Sequence, residues 1–349
     1  MSASRIRVLV VEDSPVVRQL MTHVFESETG FELVGTATDG DEALAAVRRL
    51  RPDVVTMDVH MARMDGLEAT RGIMQEAPLP IVIVSGTVDD QVAATFDALE
   101  AGALAFLRRP AGIGGAQHNR DVAELVRTVR LMSEVKVVRR RFAKARGAQA
   151  VDPRQSPLRM VAIGASTGGP VAIQALLQAL PKDFPVPILI VQHISEGFLG
   201  GFVDWLNRTA AAQVHLGADG GVPLPGHAYV APDGRHMGID GLGKLRLSDA
   251  PPDHGLRPSV AHLLRAVRAV YGGSAAAVLL SGMGRDGAEE LLELRRCGAQ
   301  TFVQDRASSV VYGMPGVALK LDAARHVMPP EEIGAMLASI AQRGNNHGQ

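Results

Sequence analysis

Short runs of apolar residues alternate with amphipathic stretches through residues 1–126 of the chain. Each run ends at polar or glycine residues, which is typical of strands buried on both faces of a parallel sheet. Between the runs, at 15–26 and 41–50 for example, apolar residues recur three and four positions apart, which predicts helices. The predicted strands span residues 8–11, 33–35, 54–57, 81–84 and 103–107. This alternation predicts a doubly wound α/β domain with a five-stranded parallel sheet and right-handed crossovers.

The same alternation returns after residue 159. Predicted strands lie at residues 160–163, 187–192, 228–231, 275–280 and 300–303, and predicted helices at 171–180, 200–207, 259–270 and 288–296. A second doubly wound, mostly parallel α/β domain is therefore expected. The final residues, 343–349, are polar and glycine-containing, and they predict a frayed tail.

A helical pattern with a basic end separates the two α/β blocks. Residues 121–146 carry an apolar stripe at helical spacing, and their far end is rich in arginine. Residues 147–157 are small, polar and proline-containing, which predicts a flexible linker. The basic stretch is typical of a solvated helix end or of a surface facing the acidic first block, although a nucleic-acid-binding arm also fits it. The expected organisation is a first domain at 1–126, a linker at 127–158, a second domain at 159–342 and a tail at 343–349.

Charge is segregated along the chain. The 349 residues contain 36 Lys and Arg against 37 Asp and Glu, a net charge of −1. The net charge is −8 over residues 1–126, +8 over 127–159 and −1 over 160–349, which supports two domains joined by a charged connector. The overall balance gives no global excess that would drive binding to nucleic acid or to an anionic membrane.

Cysteine content and hydropathy restrict the class of protein further. Cys297 is the only cysteine, which excludes an intrachain disulfide and a cysteine-rich metal site and suits a reducing compartment. No window of 18 residues is continuously apolar, so no transmembrane helix is expected. These observations predict a soluble, cytoplasmic, multi-domain protein with no direct insertion into membranes.

Acidic residues follow two of the predicted strands in the first block. Glu12 and Asp13 come directly after the first strand, and Asp58 follows the third. The carboxyl ends of parallel strands share one edge of an open sheet, so these carboxylates are expected to converge there. Converging carboxylates repel one another unless a cation lies among them, and hard oxygen ligands favour Mg²⁺. The alternative is that each carboxylate merely caps the helix after it, as Asp13 before Pro15 could.

A hydroxyl and a positive charge complete this edge. Ser85 ends the fourth predicted strand, and Arg109 follows the fifth. Phosphoryl transfer depends mainly on positioning and charge neutralisation, so a carboxylate beside Mg²⁺, a hydroxyl and a cation is a suitable phosphoryl acceptor.

The first block resembles the receiver domain of response regulators. The resemblance rests on VLVVEDSPVVR at 8–18, DVVTMDVHMARMDGLEA at 53–69, PIVIVSG at 80–86 and ALEAGALAFLRRP at 98–110. It implies a flavodoxin-like fold with Asp58 as the phosphoacceptor. The implied Mg²⁺ ligands are Glu12, Asp13 and Asp58, and the implied switch residues are Ser85, Phe106 and Arg109.

Two positions depart from the receiver pattern. Arg109 stands where the family has lysine, and Ala62 stands where it has proline. Arginine keeps the positive charge but offers a planar fork instead of a compact ammonium group. Phosphorylation of Asp58 is therefore still expected.

Three residues whose side chains can take part in catalysis follow strands in the second block. Ser166 lies between a strand and a helix, His193 ends the next strand, and Asp286 follows the strand at 275–280. Taken singly, each has a structural explanation, namely a helix N-cap, a hydrogen-bonded histidine and an Asp-Gly turn. Together they place a hydroxyl, an imidazole and a carboxylate at one sheet edge, which predicts a triad for acyl transfer. Ser166 would be the nucleophile, His193 the general base and then acid, and Asp286 the group that orients the imidazole.

Two other α/β classes compete with this interpretation. The order Ser–His–Asp and the absence of a G-x-S-x-G elbow exclude the α/β-hydrolases. Residues 282–287 fit the G-x-G-x-x-G pattern, and Asp305 follows at the spacing of a ribose-binding acid. Only 44 residues remain after Asp305, too few for the rest of a dinucleotide-binding sheet, so dinucleotide binding is not expected.

The second block resembles the catalytic domain of chemotaxis protein-glutamate methylesterases. The resemblance rests on AIGASTGGP at 162–170, QHISEGF at 192–198, ADGGVPLPGHAYVAPDGRHM at 218–237, LRPSV at 256–260, LLSGMGRDGAEEL at 279–291 and QDRASSVVYGMP at 304–315. It implies the same triad, and it places three further residues near the nucleophile and the oxyanion site, Thr167, Gly168 and Met283. Ser195 replaces an expected proline and Ala261 an expected acid, and neither is a member of the triad.

The order of receiver, linker and esterase implies an enzyme of sensory adaptation. Such an enzyme hydrolyses glutamate methyl esters on methyl-accepting chemotaxis receptors and also deamidates glutamines. Neither reaction needs a cofactor, so Mg²⁺ would serve only the receiver. A chemotaxis histidine kinase would be the phosphodonor, and the unphosphorylated receiver would restrain the esterase.

Two other functional classes are weighed against this one. A catalytically silent receiver–adaptor that binds receptors or kinase remains an alternative, in which Ser166 would be inert. A DNA-binding response regulator is not supported, because the second block carries a net charge of −1 and no helix-turn-helix signal. No nucleic-acid partner is expected.

Overall fold

The computed structural model describes residues 5–86, 89–112, 116–135, 137 and 157–346, with backbone alone at 89–91, 116 and 344–346. The chain divides into two compact units, Met1–Phe142 and Ala143–Gln349, and each contains its own parallel sheet. Within the described residues, no helix is both long and apolar enough to span a lipid bilayer.

Five parallel strands form the sheet of the first unit. They are β1 (Ile6–Val11), β2 (Phe31–Ala37), β3 (Val54–Met57), β4 (Ile81–Ser85) and β5 (Ala105–Arg108), in the order β2-β1-β3-β4-β5. The helices are α1 (Pro15–Ser27), α2 (Gly40–Leu50), α3 (Gly66–Glu76), α4 (Asp89–Glu100) and α5 (Ala116–Ser133). The predicted doubly wound architecture is confirmed, and every predicted strand of this unit lies within two residues of its observed bounds.

The central strands β3 and β4 are mostly apolar because helices cover both faces of the sheet. β3 and β4 are buried at every position. Asp65 is the N-cap of helix α3, and its side chain accepts a hydrogen bond from the N–H of Glu68 at 2.8 Å. The next residue, Gly66, lies so close to the end of β3 that a Cβ atom would meet the carbonyl oxygen of Asp58 at 2.0 Å. This close approach fixes the backbone of Asp58 beside α3.

Helix α5 ends earlier than predicted. The apolar stripe predicts a helix over 121–146, whereas α5 spans Ala116–Ser133. The Oγ of Ser133 donates to the carbonyl oxygen of Arg130 at 2.8 Å, and the next two backbone N–H groups bond to carbonyls three residues back. Such bonds tighten the last turn and compete with the helical ladder. The predicted helix and linker over 138–156 lie outside the described residues.

The described residues of the second unit contain nine strands. They are β6 (Met160–Ala165), β7 (Ile188–Gln192), β8 (Gln213–Leu216), β9 (His227–Val230), β10 (His236–Ile239), β11 (Leu245–Ser248), β12 (Ala275–Leu279), β13 (Gln300–Gln304) and β14 (His326–Met328). Seven of them form a parallel sheet in the order β14-β13-β12-β6-β7-β9-β8, and β10 and β11 form a separate antiparallel hairpin. The prediction of a second, mostly parallel α/β fold is therefore confirmed.

Helices surround this second sheet. They are α6 (Gly169–Gln178), α7 (Leu199–Thr209), α8 (Val260–Tyr271) with a 3₁₀ turn at Gly272–Ser274, α9 (Ala288–Arg296), α10 (Met314–Lys320) and α11 (Pro330–Asn346). Helix α11 runs to Asn346, so the prediction of a frayed tail from residue 343 is wrong at its start. Buried residues at helical spacing, such as Ile333, Leu337 and Ile340, explain why this helix forms and extends into the polar end of the chain.

Strand β6 lies at the centre of the seven-stranded sheet, and the chain changes direction beside it. From β6 the chain adds β7, β8 and β9 on one side and then returns to add β12, β13 and β14 on the other. In doubly wound sheets, such a switch point opens a crevice at the carboxyl ends of the strands. The residues that follow β6, β7 and β12 are therefore brought to one crevice.

Candidate active site and phosphoacceptor site

Ser166 directly follows β6, where the backbone turns toward α6. Its N–H donates to the carbonyl oxygen of Ser281 at 3.0 Å, and its carbonyl oxygen accepts from the N–H of Gly169 at 2.7 Å. The N-cap of α6 is Gly168, with a φ of +75°, and not Ser166. A Cβ atom on Gly168 would lie 2.5 Å from Cβ of Val310, so this turn has room for glycine alone.

His193 directly follows β7, the neighbour of β6 in the sheet. Its backbone N–H donates to the carbonyl oxygen of Ala165 at 2.9 Å, which extends the parallel pairing of β6 and β7 by one residue. This pairing sets the backbone of His193 beside that of Ser166. The Nε2 atom of His193 lies 3.0 Å from Oδ2 of Asp286, and the imidazole is 13% exposed whereas the carboxylate is 2% exposed.

The carboxylate of Asp286 binds the N-terminus of α8 as well as His193. Oδ2 accepts from the N–H of Val260 at 2.7 Å, and Oδ1 accepts from the N–H of Ala261 at 2.9 Å and from Oγ of Ser259 at 3.0 Å. Burial alone would raise the pKa of Asp286, but the hydrogen bond and charge of His193, together with the backbone donors, hold this pKa below the ordinary aspartate value. The ionised carboxylate only accepts hydrogen bonds, so Nε2 of His193 is the donor in this contact.

The loop after β12 packs directly on Ser166. A Cβ atom on Gly282 would lie 2.8 Å from Cβ of Ser166, so the loop approaches as closely as its backbone permits. Ser281 is fully buried, and its Oγ donates to the carbonyl oxygen of Thr167 at 2.7 Å. Met283, two positions further along this loop, is 37% exposed. Thr167 and Met283 therefore lie on segments that border Ser166, one from β6 and one from β12.

A cavity of about 310 Å³ opens beside His193. Its wall includes the charged side chains of Glu196, Asp233 and Arg257. Burial raises the pKa of Asp233, and the nearby charge of Glu196 adds to this effect. The space next to the imidazole is therefore large enough for a substrate side chain and is bordered by carboxylates.

In the first unit, Glu12, Asp13 and Asp58 meet at the carboxyl edge of the sheet. One carboxylate oxygen from each lies within 4.8 Å of the others, with Glu12 and Asp58 buried and Asp13 exposed. The Nη2 atom of Arg109 lies 3.0 Å from Oδ2 of Asp58 and 3.4 Å from Oε2 of Glu12. Burial and the charge of Asp58 nevertheless raise the pKa of Glu12 to about 7, and burial also raises the pKa of Asp58. These clustered carboxylate oxygens with excess negative charge fit a hard divalent cation such as Mg²⁺.

Ser85 and Phe106 lie on the neighbouring strands β4 and β5. The Oγ atom of Ser85 is fully buried and has no hydrogen-bond partner among the described residues, while its carbonyl oxygen accepts from the N–H of Arg109 at 2.8 Å. The Phe106 ring contacts Phe96 edge-on, with 5.1 Å between centroids. An unsatisfied buried hydroxyl carries a free-energy cost that a new hydrogen-bond partner would remove.

Two family models match this chain over both units. The model described as CheB methylesterase matches residues 161–337, and the model described as response regulator receiver domain matches residues 8–115. The protein named protein-glutamate methylesterase/protein-glutamine glutaminase of Nitrosospira multiformis is 52% identical, over 97% of this chain and 98% of that protein. The chain belongs to the CheB methylesterase family.

Other similarities agree with membership of the CheB methylesterase family. Protein-glutamate methylesterase/protein-glutamine glutaminase 4 of Geobacter metallireducens is 51% identical over 96% of this chain and 99% of that protein. The crystal structure of the Thermotoga maritima CheB methylesterase catalytic domain covers 52% of this chain and 98% of its own, with 32% identity and a TM-score of 0.51.

In this CheB methylesterase family member, His193 and Asp286 are hydrogen-bonded at the sheet edge that also holds Ser166, and the carboxylates of Glu12, Asp13 and Asp58 meet in the first unit. Three polar residues of the second unit that contact the candidate site were missed, namely Gln192, Ser259 and Ser281. Ser259 had an N-cap signal ahead of α8, where its side chain accepts from the N–H of His262. Gln192 and Ser281 are polar residues at the ends of otherwise apolar strands, and that break in the pattern could have identified them.

Proposed function

We propose that the chain is a phosphorylation-regulated protein-glutamate methylesterase that also deamidates glutamine side chains. The hydrogen-bonded pair His193–Asp286, at the sheet edge that also holds Ser166, carries the proposal, because such a pair activates a serine hydroxyl. The names of the similar proteins support the same activity. The proposed substrates are glutamyl methyl esters and glutamines of methyl-accepting chemotaxis receptors.

Ester hydrolysis proceeds through an acyl-enzyme. Oγ of Ser166 attacks the side-chain carbonyl carbon of the ester while Nδ1 of His193 takes the hydroxyl proton, and Asp286 stabilises the imidazolium through Nε2–H. The imidazolium then protonates the leaving methoxide, so methanol departs and an ester to Ser166 remains. Water that gives its proton to His193 attacks this ester, releases the glutamate carboxylate and restores Ser166. A glutamine substrate follows the same steps with ammonia in place of methanol.

The negative charge of the tetrahedral intermediate needs donors near Ser166. We assign this role to backbone N–H groups in the segments that contain Thr167, Gly168 and Met283, because these segments border Ser166 from β6 and from β12. The cavity beside His193 provides room for the substrate side chains next to the reacting ester. None of these steps requires a cofactor.

We assign regulation to the receiver, with Asp58 as the phosphoacceptor and a chemotaxis histidine kinase as the phosphodonor. Glu12, Asp13 and Asp58 would hold Mg²⁺, which supplies positive charge to the oxygens of the transferring phosphoryl group. Arg109 takes the position of the family lysine and is close enough to Asp58 to contact a phosphoryl oxygen. The hydroxyl of Ser85 and the ring of Phe106 form the proposed switch pair, since a phosphoryl oxygen would satisfy the buried hydroxyl.

Phosphorylation is proposed to relieve a restraint that the receiver places on the esterase. The proposed boundaries assign the receiver to 1–126, the linker to 127–158 and the esterase to 159–342. A phosphate on Asp58 would then shift the population toward the active form of the enzyme.

The test is methanol release from membranes that contain methylated receptors, with and without acetyl phosphate. We expect release by the wild-type protein, faster release with acetyl phosphate, and none by Ser166→Ala. A catalytically silent adaptor would release no methanol above the blank, and its Ser166 would not react with a serine-directed phosphonate.

A further inference from the structure

Gln192, the last residue of β7, connects the two backbone turns that carry Ser166 and His193. Its Nε2 atom donates to the carbonyl oxygen of Ser166 at 2.9 Å and to the carbonyl oxygen of His193 at 2.7 Å. The residue is 3% exposed. Both N–H bonds of one buried amide therefore join the backbone of the proposed nucleophile to that of the proposed base.

The neighbours of this amide determine its orientation. Two carbonyl oxygens accept hydrogen bonds only, so the NH₂ end must face them. The Oε1 atom then has no hydrogen-bond partner among the described residues. It lies against Gly169, where a Cβ atom would come within 2.1 Å of it. A buried amide oxygen without a partner destabilises a fold, so stability alone does not account for a glutamine at this position.

The opposite side of Ser166 is also held by hydrogen bonds. Its N–H donates to the carbonyl oxygen of Ser281 on the β12 side, while Gln192 binds its carbonyl oxygen on the β7 side. The backbone of Ser166 is thus fixed from both neighbouring strands. Gln192 differs from Ser281 in that it also binds the backbone of His193.

We propose that Gln192 is a positioning residue for acyl transfer, holding the backbones of Ser166 and His193 in the alignment that proton transfer between their side chains requires. This inference rests on the proposed function, because only a reaction that uses both side chains needs that alignment. Gln192 borders the cavity beside His193, but its amide hydrogens bind backbone carbonyls and not the reacting atoms. A misplacement of about 1 Å between reacting groups lowers rates by about 100-fold, so loss of this amide affects the chemical step.

The experiment compares Gln192→Met with wild type in the full-length protein. Methionine keeps the length of the side chain but has no hydrogen to donate. Methanol release from methylated receptor membranes is expected to show kcat lower by about 10- to 100-fold. KM is expected to change by less than about twofold, because both hydrogen bonds that the variant removes go to backbone carbonyls. The rate of Ser166 labelling by a serine-directed fluorophosphonate is expected to fall in parallel with kcat.

Gln300→Met is the matched control. Gln300 is 4% exposed at the start of β13, and its Oε1 atom faces Nε2 of His326 at 3.2 Å. The substitution removes a buried amide from the same sheet, at the end opposite Ser166 and His193. Its kcat is expected to stay within about twofold of wild type.

Gly169→Ala perturbs the same amide from the other side. The new Cβ atom would displace Oε1 of Gln192, so a fall in kcat is expected here as well. If Gln192→Met fails to fold, Gly169→Ala decides the question. Retained kcat in either folded variant, or a raised KM with unchanged kcat, overturns the positioning role.

The outcomes that contradict the proposed function differ from those that contradict the positioning role of Gln192. The proposed function fails if the wild type releases no methanol or if Ser166→Ala still releases it. The positioning role of Gln192 fails alone if the wild type is active, Ser166→Ala is inactive and Gln192→Met matches Gln300→Met.

Discussion

Replacement of Asp286 by asparagine keeps the shape of the side chain and removes its charge. It tests both the contact of Asp286 with His193 and its contact with the N-terminus of α8. One of the two acceptor oxygens becomes an NH₂ donor. With the NH₂ facing His193, Nε2 must accept instead of donate, so the proton moves to Nδ1, the atom that we propose accepts the proton of Ser166. The imidazole is then the wrong tautomer for general-base catalysis, and kcat is expected to fall by about 10³- to 10⁴-fold.

The same substitution weakens the N-terminus of α8. The Asp286 carboxylate accepts from the N–H of Val260 at 2.7 Å and from that of Ala261 at 2.9 Å, through different oxygens. Either orientation of an asparagine amide therefore points its NH₂ group at one of these donors. A hydrogen bond to a charged group contributes about 1.5–3 kcal/mol, so the free energy of unfolding is expected to fall by about that amount.

The pH dependence of this loss has a definite sign. Because the pKa of Asp286 is lowered in the folded protein, its stabilisation is fully present above the ordinary aspartate pKa, near 4. The stabilisation is lost as the pH falls through the lower folded value. The stability difference between wild type and Asp286→Asn is therefore expected to be constant near neutral pH and to shrink in acid.

Urea unfolding and methanol release measure the two effects on the same samples. Ser259→Ala serves as the control, because it removes one hydrogen bond to Asp286 and the N-cap bond to His262 but keeps the contact of Asp286 with His193. We expect this variant to lose about 1 kcal/mol of stability and little activity. Asp286→Asn with a kcat within about tenfold of wild type would refute the tautomer argument. An unchanged unfolding midpoint would refute the role of Asp286 at α8.

Three further outcomes concern the division of labour between the units. Ser166→Ala is expected to abolish methanol release and to leave phosphorylation of Asp58 by acetyl phosphate unchanged, and retained turnover would contradict the proposed triad. Chelation of Mg²⁺ is expected to stop phosphorylation of Asp58 without slowing the unphosphorylated esterase, so a metal-dependent basal rate would contradict the assignment of Mg²⁺ to the receiver. Residues 159–349 expressed alone are expected to release methanol faster than the unphosphorylated full-length protein, and an equal or lower rate would argue against a restraining receiver.

The parallel strands were predictable because burial on both faces leaves a continuous apolar run in the sequence. Strands β8 and β14 could not be predicted from such runs, because they lie at the two edges of their sheet and are only partly buried. The β10–β11 hairpin was also missed. The end of α5 at Ser133 depends on a side chain that competes with the helical ladder, which an apolar stripe does not reveal.

The candidate site divides in the same way. The strand-end positions of Ser166, His193 and Asp286 follow from the alternation of strands and helices, because topology alone brings such positions to one edge. The contact of Asp286 with the N-terminus of α8 could not be predicted in this way. It joins residues 25 to 27 positions apart, mainly through backbone donors that every sequence contains. The partners of Gln192 are backbone carbonyls, which every residue carries, so composition gives no indication of them.

The central position of β6 has a consequence for biosynthesis. Ser166 and His193 lie on one side of the switch point and emerge from the ribosome together, whereas Asp286 is 93 residues beyond His193 and belongs to the half of the sheet that is made last. A nascent or proteolysed chain that stops before β12 therefore contains a serine and a histidine without the carboxylate that orients the imidazole. The complete triad that we propose therefore forms only after the final third of the chain has been translated and has folded onto the sheet. Incomplete copies in the cell are expected to be inactive as hydrolases.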